Sequence, residues 1–170
     1  KGLGIFAQKE MLLENNNWPV YGLEHFISCR VDNTFNLLGI WGCNNYIEDI
    51  YVYLQIHKEK TSNTIIGGDF NSNVIWDEKH KKRTHSGVVK ELLSIELVSV
   101  YHTLTNTADS EEYDPTFYMY KHAHRPYHID YFFCKKEWIQ MLSIGTYKDW
   151  ILYSNHVPIF LEVNPSNYAD

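Results

Sequence analysis

Asp69, Asn71, Asp130 and His156 are the residues of this chain whose types and surroundings could carry chemistry. Asp69 and Asn71 close the run Ile65-Ile66-Gly67-Gly68-Asp69-Phe70-Asn71, in which an apolar β-branched pair breaks on two glycines. Ile65 and Ile66 suit a buried strand, and Gly67 and Gly68 let the backbone turn or approach another group closely. If the extended conformation persists, Asp69 and Asn71 point to one side. A carboxylate beside a neutral amide can orient a water and hydrogen-bond an anionic oxygen, as phosphoester hydrolysis requires. Gly, Asp and Asn are also the commonest turn residues, so a plain strand-to-turn junction is an equal reading of this segment alone. Asp130 sits inside the otherwise apolar, strand-like Tyr127–Phe133, and His156 precedes a final strand. A buried carboxylate next to a histidine can hold the imidazole in one tautomer and stabilise its protonated form, which pairs Asp130 with His156.

Gly68-Asp69-Phe70-Asn71, Ile129-Asp130-Tyr131 and Ser154-Asn155-His156, in this order, resemble the endonuclease/exonuclease/phosphatase superfamily. That group carries a Gly-Asp-x-Asn segment, an Ile-Asp-Tyr strand and a Ser-Asp-His segment at comparable separations. The resemblance extends over essentially the whole chain and includes Pro115-Thr116-Phe117-Tyr118. It implies that His156 hydrogen-bonds a scissile phosphate, that Asp130 orients His156, that Asp69 positions or deprotonates the attacking water, and that Asn71 helps hold phosphate or water. It also implies a Mg²⁺ (or Mn²⁺) cofactor, and nucleic acid or another phosphoester as substrate.

The chain departs from the pattern in two places. Asn155 stands where the family has a metal-binding aspartate, so an amide oxygen would replace a carboxylate and the cation would be weakly held. The family's earlier strands, one with an Asn and one with a metal-binding Glu in a Gln-Glu pair, do not appear ahead of Lys1–Ala7, which looks like the strand that follows them. The resemblance therefore implies an amino-terminally truncated domain with an impaired metal site. The alternative is a non-catalytic remnant of the same fold that binds phosphate or nucleic acid.

The 170 residues suit one domain spanning 1–170, long enough to bury a sizeable core. With 13 Tyr, 8 Phe and 5 Trp, much of that core or of a binding face is aromatic. A formal charge of −6 argues against broad wrapping by nucleic acid, leaving room for local contacts. Two basic runs supply local positive charge: one contains Lys81, Lys82 and Arg83, the other is Lys121–Arg125. Each reads either as a solvated surface or as phosphate contact. Tyr46 follows a strand at about the place where the family supplies phosphate-contacting side chains, although a turn reads as well there. Tyr118 or Tyr120 could present rings for recognition, or pack. Three cysteines without CxxC spacing indicate neither a disulfide framework nor a zinc site and favour a reducing cytoplasm. No apolar stretch is long enough to span a membrane.

The elements needed to position these residues alternate between strand and helix. A hairpin of Gly2–Ala7 with Glu10–Leu13 and a second of Glu24–Val31 with Phe35–Gly42 are expected. A helix is expected over Tyr46–Glu59, where Ile47, Ile50, Tyr51 and Leu54 share a face. Residues 64–68 form a strand, and Ser86 caps a helix through Leu93. Leu97–Tyr101, Thr116–Tyr120, Tyr127–Phe133, Leu142–Tyr147 and Pro158–Val163 read as strands, with Thr105–Asp114 an exposed acidic loop. Ile65, Ile66, Ile129, Phe132, Ile159 and Leu161 are expected in the core. The fold class is α+β. The resemblance makes it a four-layer α/β/β/α sandwich of two mostly antiparallel sheets missing its first strand and helix, with a sheet edge that a missing segment or a partner should cover.

Overall fold

The computed structural model describes residues 2–165, so Lys1 of the expected first strand lies outside the described residues. Its centre is a mixed six-stranded sheet with the order β1-β2-β3-β4-β8-β5. These strands are β1 (Leu13–Asn15), β2 (Phe26–Val31), β3 (Phe35–Trp41), β4 (Thr64–Asp69), β5 (Leu97–Ser99) and β8 (Asp130–Lys135). Only β3 and β4 run parallel, because α1 (Ile47–His57) connects them as a crossover. Hairpin β2–β3 turns at Asp32 and Asn33, both with left-handed φ, a conformation that Asp and Asn tolerate better than other non-glycine residues.

Strand alternation divides the chain into two cores. Leu38, Ile40, Ile66, Tyr131 and Phe133 point to the outer face, where α1 and α2 (His85–Leu93) cover them through Ile47, Ile50, Tyr53, Val88 and Leu92. The intervening Leu37, Ile65, Phe132 and Cys134 point inward, toward the pair formed by β9 (Ile139–Ile144) and β10 (Ile159–Val163). Of the residues expected in the core, Ile65, Ile66 and Ile129 are buried. Phe132, Ile159 and Leu161 are partly buried. Gly67 is part of this inner face. A side chain there would run into the Phe132 ring, which occupies the space the glycine leaves.

The structure corrects several local expectations. Gly2–Ala7 forms no strand; Leu3 and Ile5 instead lay the segment across the inner face at Gly39, held by side-chain burial without a ladder. Strand β1 joins β2, where the backbones of Leu12 and Asp32 are tied by Asp32 N to Leu12 O and by Leu12 N to the Asp32 carboxylate. Thr84, not Ser86, caps α2 by accepting from Gly87 N–H, because Ser86 is held by Asp77. Residues 97–101 divide into the short β5 and the helix α3 (Val100–Thr105). The Thr105–Asp114 loop is not simply exposed and acidic, since the Glu112 side chain is buried against His102 and Asn73. Thr116–Tyr120 shortens to β6 (Phe117–Tyr118), paired with β7 (Pro126–Tyr127), and α4 (Tyr147–Trp150) follows β9. Among the described residues, β9 and β10 hydrogen-bond as strands only to each other.

Candidate active site

Asp69 ends β4 and Asp130 begins β8, and the two are directly paired across the antiparallel ladder. Both have the inward parity of Ile65 and Phe132, so their carboxyl groups emerge together at the rim of the inner face. Gly68 permits this ending. Its φ of 146° is one that side chains rarely adopt, and any Cβ would collide with the Ile40 carbonyl of the neighbouring strand. The chain then turns. Asn71 takes a left-handed φ of 49°, and its N–H donates to Asp69 Oδ1 at 2.8 Å. The extended conformation does not persist to Asn71, so its side chain lines a cleft with Tyr46, Trp76, Lys79 and Phe117.

His156 reaches the same rim from a distant segment. Its Nδ1 lies 3.0 and 3.2 Å from the two Asp130 carboxylate oxygens, and its Nε2 lies 3.9 Å from Asp69 Oδ2. Local hydrogen bonds hold the segment in place: His156 N–H donates to Ser154 Oγ, Tyr118 N–H donates to the Asn155 carbonyl, and Val157 N–H donates to the Thr116 carbonyl. Phe117 packs its ring against the imidazole at 4.7 Å. Thr116, fully buried, also accepts through Oγ1 from the N–H groups of Ile129 and Asp130, at 3.0 Å each. One residue thus fixes both the start of β8 and the approach of His156.

The electrostatics follow from this crowding. Burial first, and the facing Asp130 carboxylate second, push the Asp69 carboxyl up to about 6, while His156 and the Asn71 N–H restrain the rise. A carboxylate with such a value is a better proton acceptor near neutral pH than an exposed one. One ligand atom each from Asp69, Asp130 and His156 lies within 4.8 Å of the others, a group able to hold a metal ion. A divalent cation would relieve the repulsion between the two paired carboxylates, so the donor set fits one.

The other residues singled out in the sequence are placed as follows. Tyr46 is about half exposed and lines the cleft beside Asn71. Lys81, Lys82 and Arg83 are exposed in the bend before α2, and Lys79, four residues ahead of Arg83, lines the cleft in their stead. Tyr118 is buried, its ring packed edge-on against Tyr147, and so presents no recognition surface; Tyr120 is exposed. Asn155 is partly buried, and its carbonyl receives Tyr118 N–H. Sequence reasoning assigned no role to Thr116 or Trp76, although Thr116 and Phe117 lay inside a quoted motif; Lys79 begins the basic run whose Lys81, Lys82 and Arg83 were singled out.

No family model matches the sequence, and neither does any curated protein. Solved structures do match the fold. The 3' phosphatase NExo from Neisseria, bound to product DNA hairpin, is similar at TM-score 0.60 and 13% identity over 92% of this chain and 71% of its own. The endonuclease domain of TRAS1, a telomere-specific non-LTR retrotransposon, is similar at TM-score 0.53 and 17% identity over 89% of this chain and 67% of its own. The AP endonuclease LMAP from Leishmania major is similar at TM-score 0.57 and 9% identity, covering 81% of this chain and 54% of its own. The chain has the fold of the endonuclease/exonuclease/phosphatase superfamily. Among the described residues, no helix is long and apolar enough to cross a membrane.

Proposed function

We propose that this chain is a phosphoester-hydrolase domain of the endonuclease/exonuclease/phosphatase type that acts on nucleic acid with a divalent cation. The convergence of Asp69, Asp130 and His156, from segments far apart in sequence, at one rim carries this reading. The four-layer α/β/β/α description belongs to the same proposal, with β9 and β10 as the second sheet.

In this reading Asp130 accepts a hydrogen bond from His156 Nδ1–H and thereby turns Nε2 toward the substrate. A protonated Nε2 donates to a phosphate oxygen. Asp69 takes a proton from the attacking water as its oxygen bonds to phosphorus; the opposite P–O ester bond breaks and the leaving oxygen is protonated from solvent. Asn71 at the cleft wall supplies an amide to position water or phosphate. Oxygens of Asp69 and Asp130, with a neutral oxygen from Asn155, would hold Mg²⁺ or Mn²⁺, which when bound would offset charge developing on the phosphate and the leaving oxygen. Placing Asn155 in this set rests on its motif position.

A second reading, a binding domain without turnover, is favoured by one observation: Asn155 occupies the motif position of a charged ligand. Magnesium- and manganese-dependent cleavage of DNA, RNA and small phosphomonoesters, compared between the native chain and His156→Ala, separates the two. Turnover abolished by His156→Ala supports the hydrolase. Metal-independent binding without turnover supports the binding domain.

A further inference from the structure

Tyr120 and Tyr153 are large aromatic residues at 73% and 81% exposure; Tyr120 directly follows Met119, which lines the cleft with Asn71, and Tyr153 belongs to the segment that leads into His156. Tyr120 is held there at a cost. Both it and Lys121 adopt left-handed backbone, with φ of 54° and 61°, a conformation that is strained for a non-glycine residue. The surrounding loop is pinned all the same: Met119 N–H donates to the Arg125 carbonyl, Lys121 Nζ to the Leu152 carbonyl, and Tyr147 OH to the Lys121 carbonyl. The Arg125 guanidinium lies over the Tyr120 ring, 5.5 Å from its centroid, and Trp150 sits edge-on to Tyr153 at 6.5 Å. The Lys121–Leu152 bond joins the two loops into one surface. Tyr153 is three residues ahead of His156, at most ~11 Å of chain.

We propose that Tyr120 and Tyr153, with Arg125, form a stacking ledge for unpaired bases of a nucleic-acid strand whose adjoining phosphodiester enters the site at His156. The proposal rests on the phosphoester-hydrolase reading and adds the substrate form: a strand with unpaired nucleotides beside the cleavage position. Exposed planar rings suit bases, each of which offers a π-face, and Lys121 and Arg125 suit the phosphates between them. The chain's net charge of −6 confines such contacts to a local patch of this kind.

The test is fluorescence anisotropy of the full chain, in chelator, with three labelled DNA hairpins: blunt, with a single-stranded tail, and with an abasic tail of equal length. The tail with bases is expected to bind at least tenfold more tightly than the abasic tail. Tyr120→Ala and Tyr153→Ala should each reduce that preference by about fivefold or more. Tyr120→Phe and Tyr153→Phe should retain it, all four variants keeping the native thermal midpoint. Equal binding of the abasic and base-bearing tails overturns the proposal, as does native preference in both alanine variants. Tighter binding to phosphatidylserine vesicles than to any hairpin would assign the ledge to a membrane surface and overturn it as well. Hydrolysis of a small phosphodiester that lacks bases, measured in parallel, reports the Asp69–Asp130–His156 site alone, so failure of the ledge and failure of the hydrolase reading are distinguishable.

Discussion

The Thr116 hydroxyl accepts the backbone N–H of Asp130 at 3.0 Å, from a position where its own backbone carbonyl accepts Val157 N–H, next to His156. The carboxylate and the imidazole it orients therefore share one buried anchor. Thr116→Val keeps the shape and removes the acceptor, leaving the Ile129 and Asp130 N–H groups unpaired. Urea denaturation should show a loss of about 2–4 kcal/mol, on the scale of 1–3 kcal/mol for each unsatisfied buried donor. Thr116→Ser, which retains the oxygen, should lose clearly less. Equal losses would mean that the methyl group, and not the hydroxyl, matters.

Asp130→Asn keeps the volume but replaces the carboxylate facing His156 Nδ1 with an amide able to present N–H to it. Hydrolysis should fall by about 10³- to 10⁴-fold, as when an orienting carboxylate is lost from a histidine. Steady-state rates on the best substrate of the cleavage panel measure this, with circular dichroism confirming the fold. A reduction under tenfold would remove Asp130 from the mechanism.

Asn155→Asp adds a negative charge at the motif position of a metal ligand. Titration calorimetry with Mn²⁺ should show tighter binding by about 1–2 kcal/mol, within the scale of a local charge interaction, with turnover raised but not restored to that of a full carboxylate set. Unchanged Mn²⁺ affinity would show that Asn155 does not face the cation.

Acid should unfold the protein through a polar cluster on the far side of β8. His85 is buried, which holds its imidazole down to about 4, and its Nδ1 has no hydrogen-bond partner. Its folded value lies below the ordinary histidine value, so its neutral form contributes stability that is full above about pH 6.5 and is lost as pH falls toward 4. At Glu112 burial works to raise the carboxyl value, but hydrogen bonds from His102, its own N–H and Asn73 outweigh it and hold the group at about 2. That contribution is present above about pH 4.5 and is lost between there and pH 2. Urea midpoints measured from pH 8 to pH 3 should therefore fall in two stages. His85→Phe should flatten the first stage and Glu112→Gln the second; a pH profile left unchanged by both would locate the acid sensitivity elsewhere.

Much of this protein is legible along the chain because the signals are local. The β-branched pair before Gly67, the alternation around Asp130 and the helical spacing of Ile47, Ile50 and Leu54 each follow from backbone periodicity and side-chain shape. The motif order Asp69, Asp130, His156 likewise pointed to hydrolytic chemistry before any distance was known. Local pattern misled where burial or a remote partner competed with it. Gly2–Ala7 reads as a strand, yet it pairs with no strand and its Leu3 and Ile5 side chains cover Gly39. Ser86 reads as a cap, yet Asp77 captures it and leaves Thr84 to do the capping. Tyr118 reads as a surface ring, yet the pairing of β6 with β7 turns it inward against Tyr147.

The sequence by itself determined the central strands β2, β3, β4 and β8, the helices α1 and α2 and the residue types at the site, because these depend on periods of two and 3.6 residues and on the chemistry of single side chains. Only the tertiary structure decided that Asp69 faces Asp130, that His156 Nδ1 and not Nε2 meets Asp130, and that Thr116 anchors both. Those relationships join residues from 14 positions apart, for Thr116 and Asp130, to 26 for Asp130 and His156 and more for Asp69 and Asp130. They are set by ladder register and by the packing of two sheet faces, which no local pattern encodes.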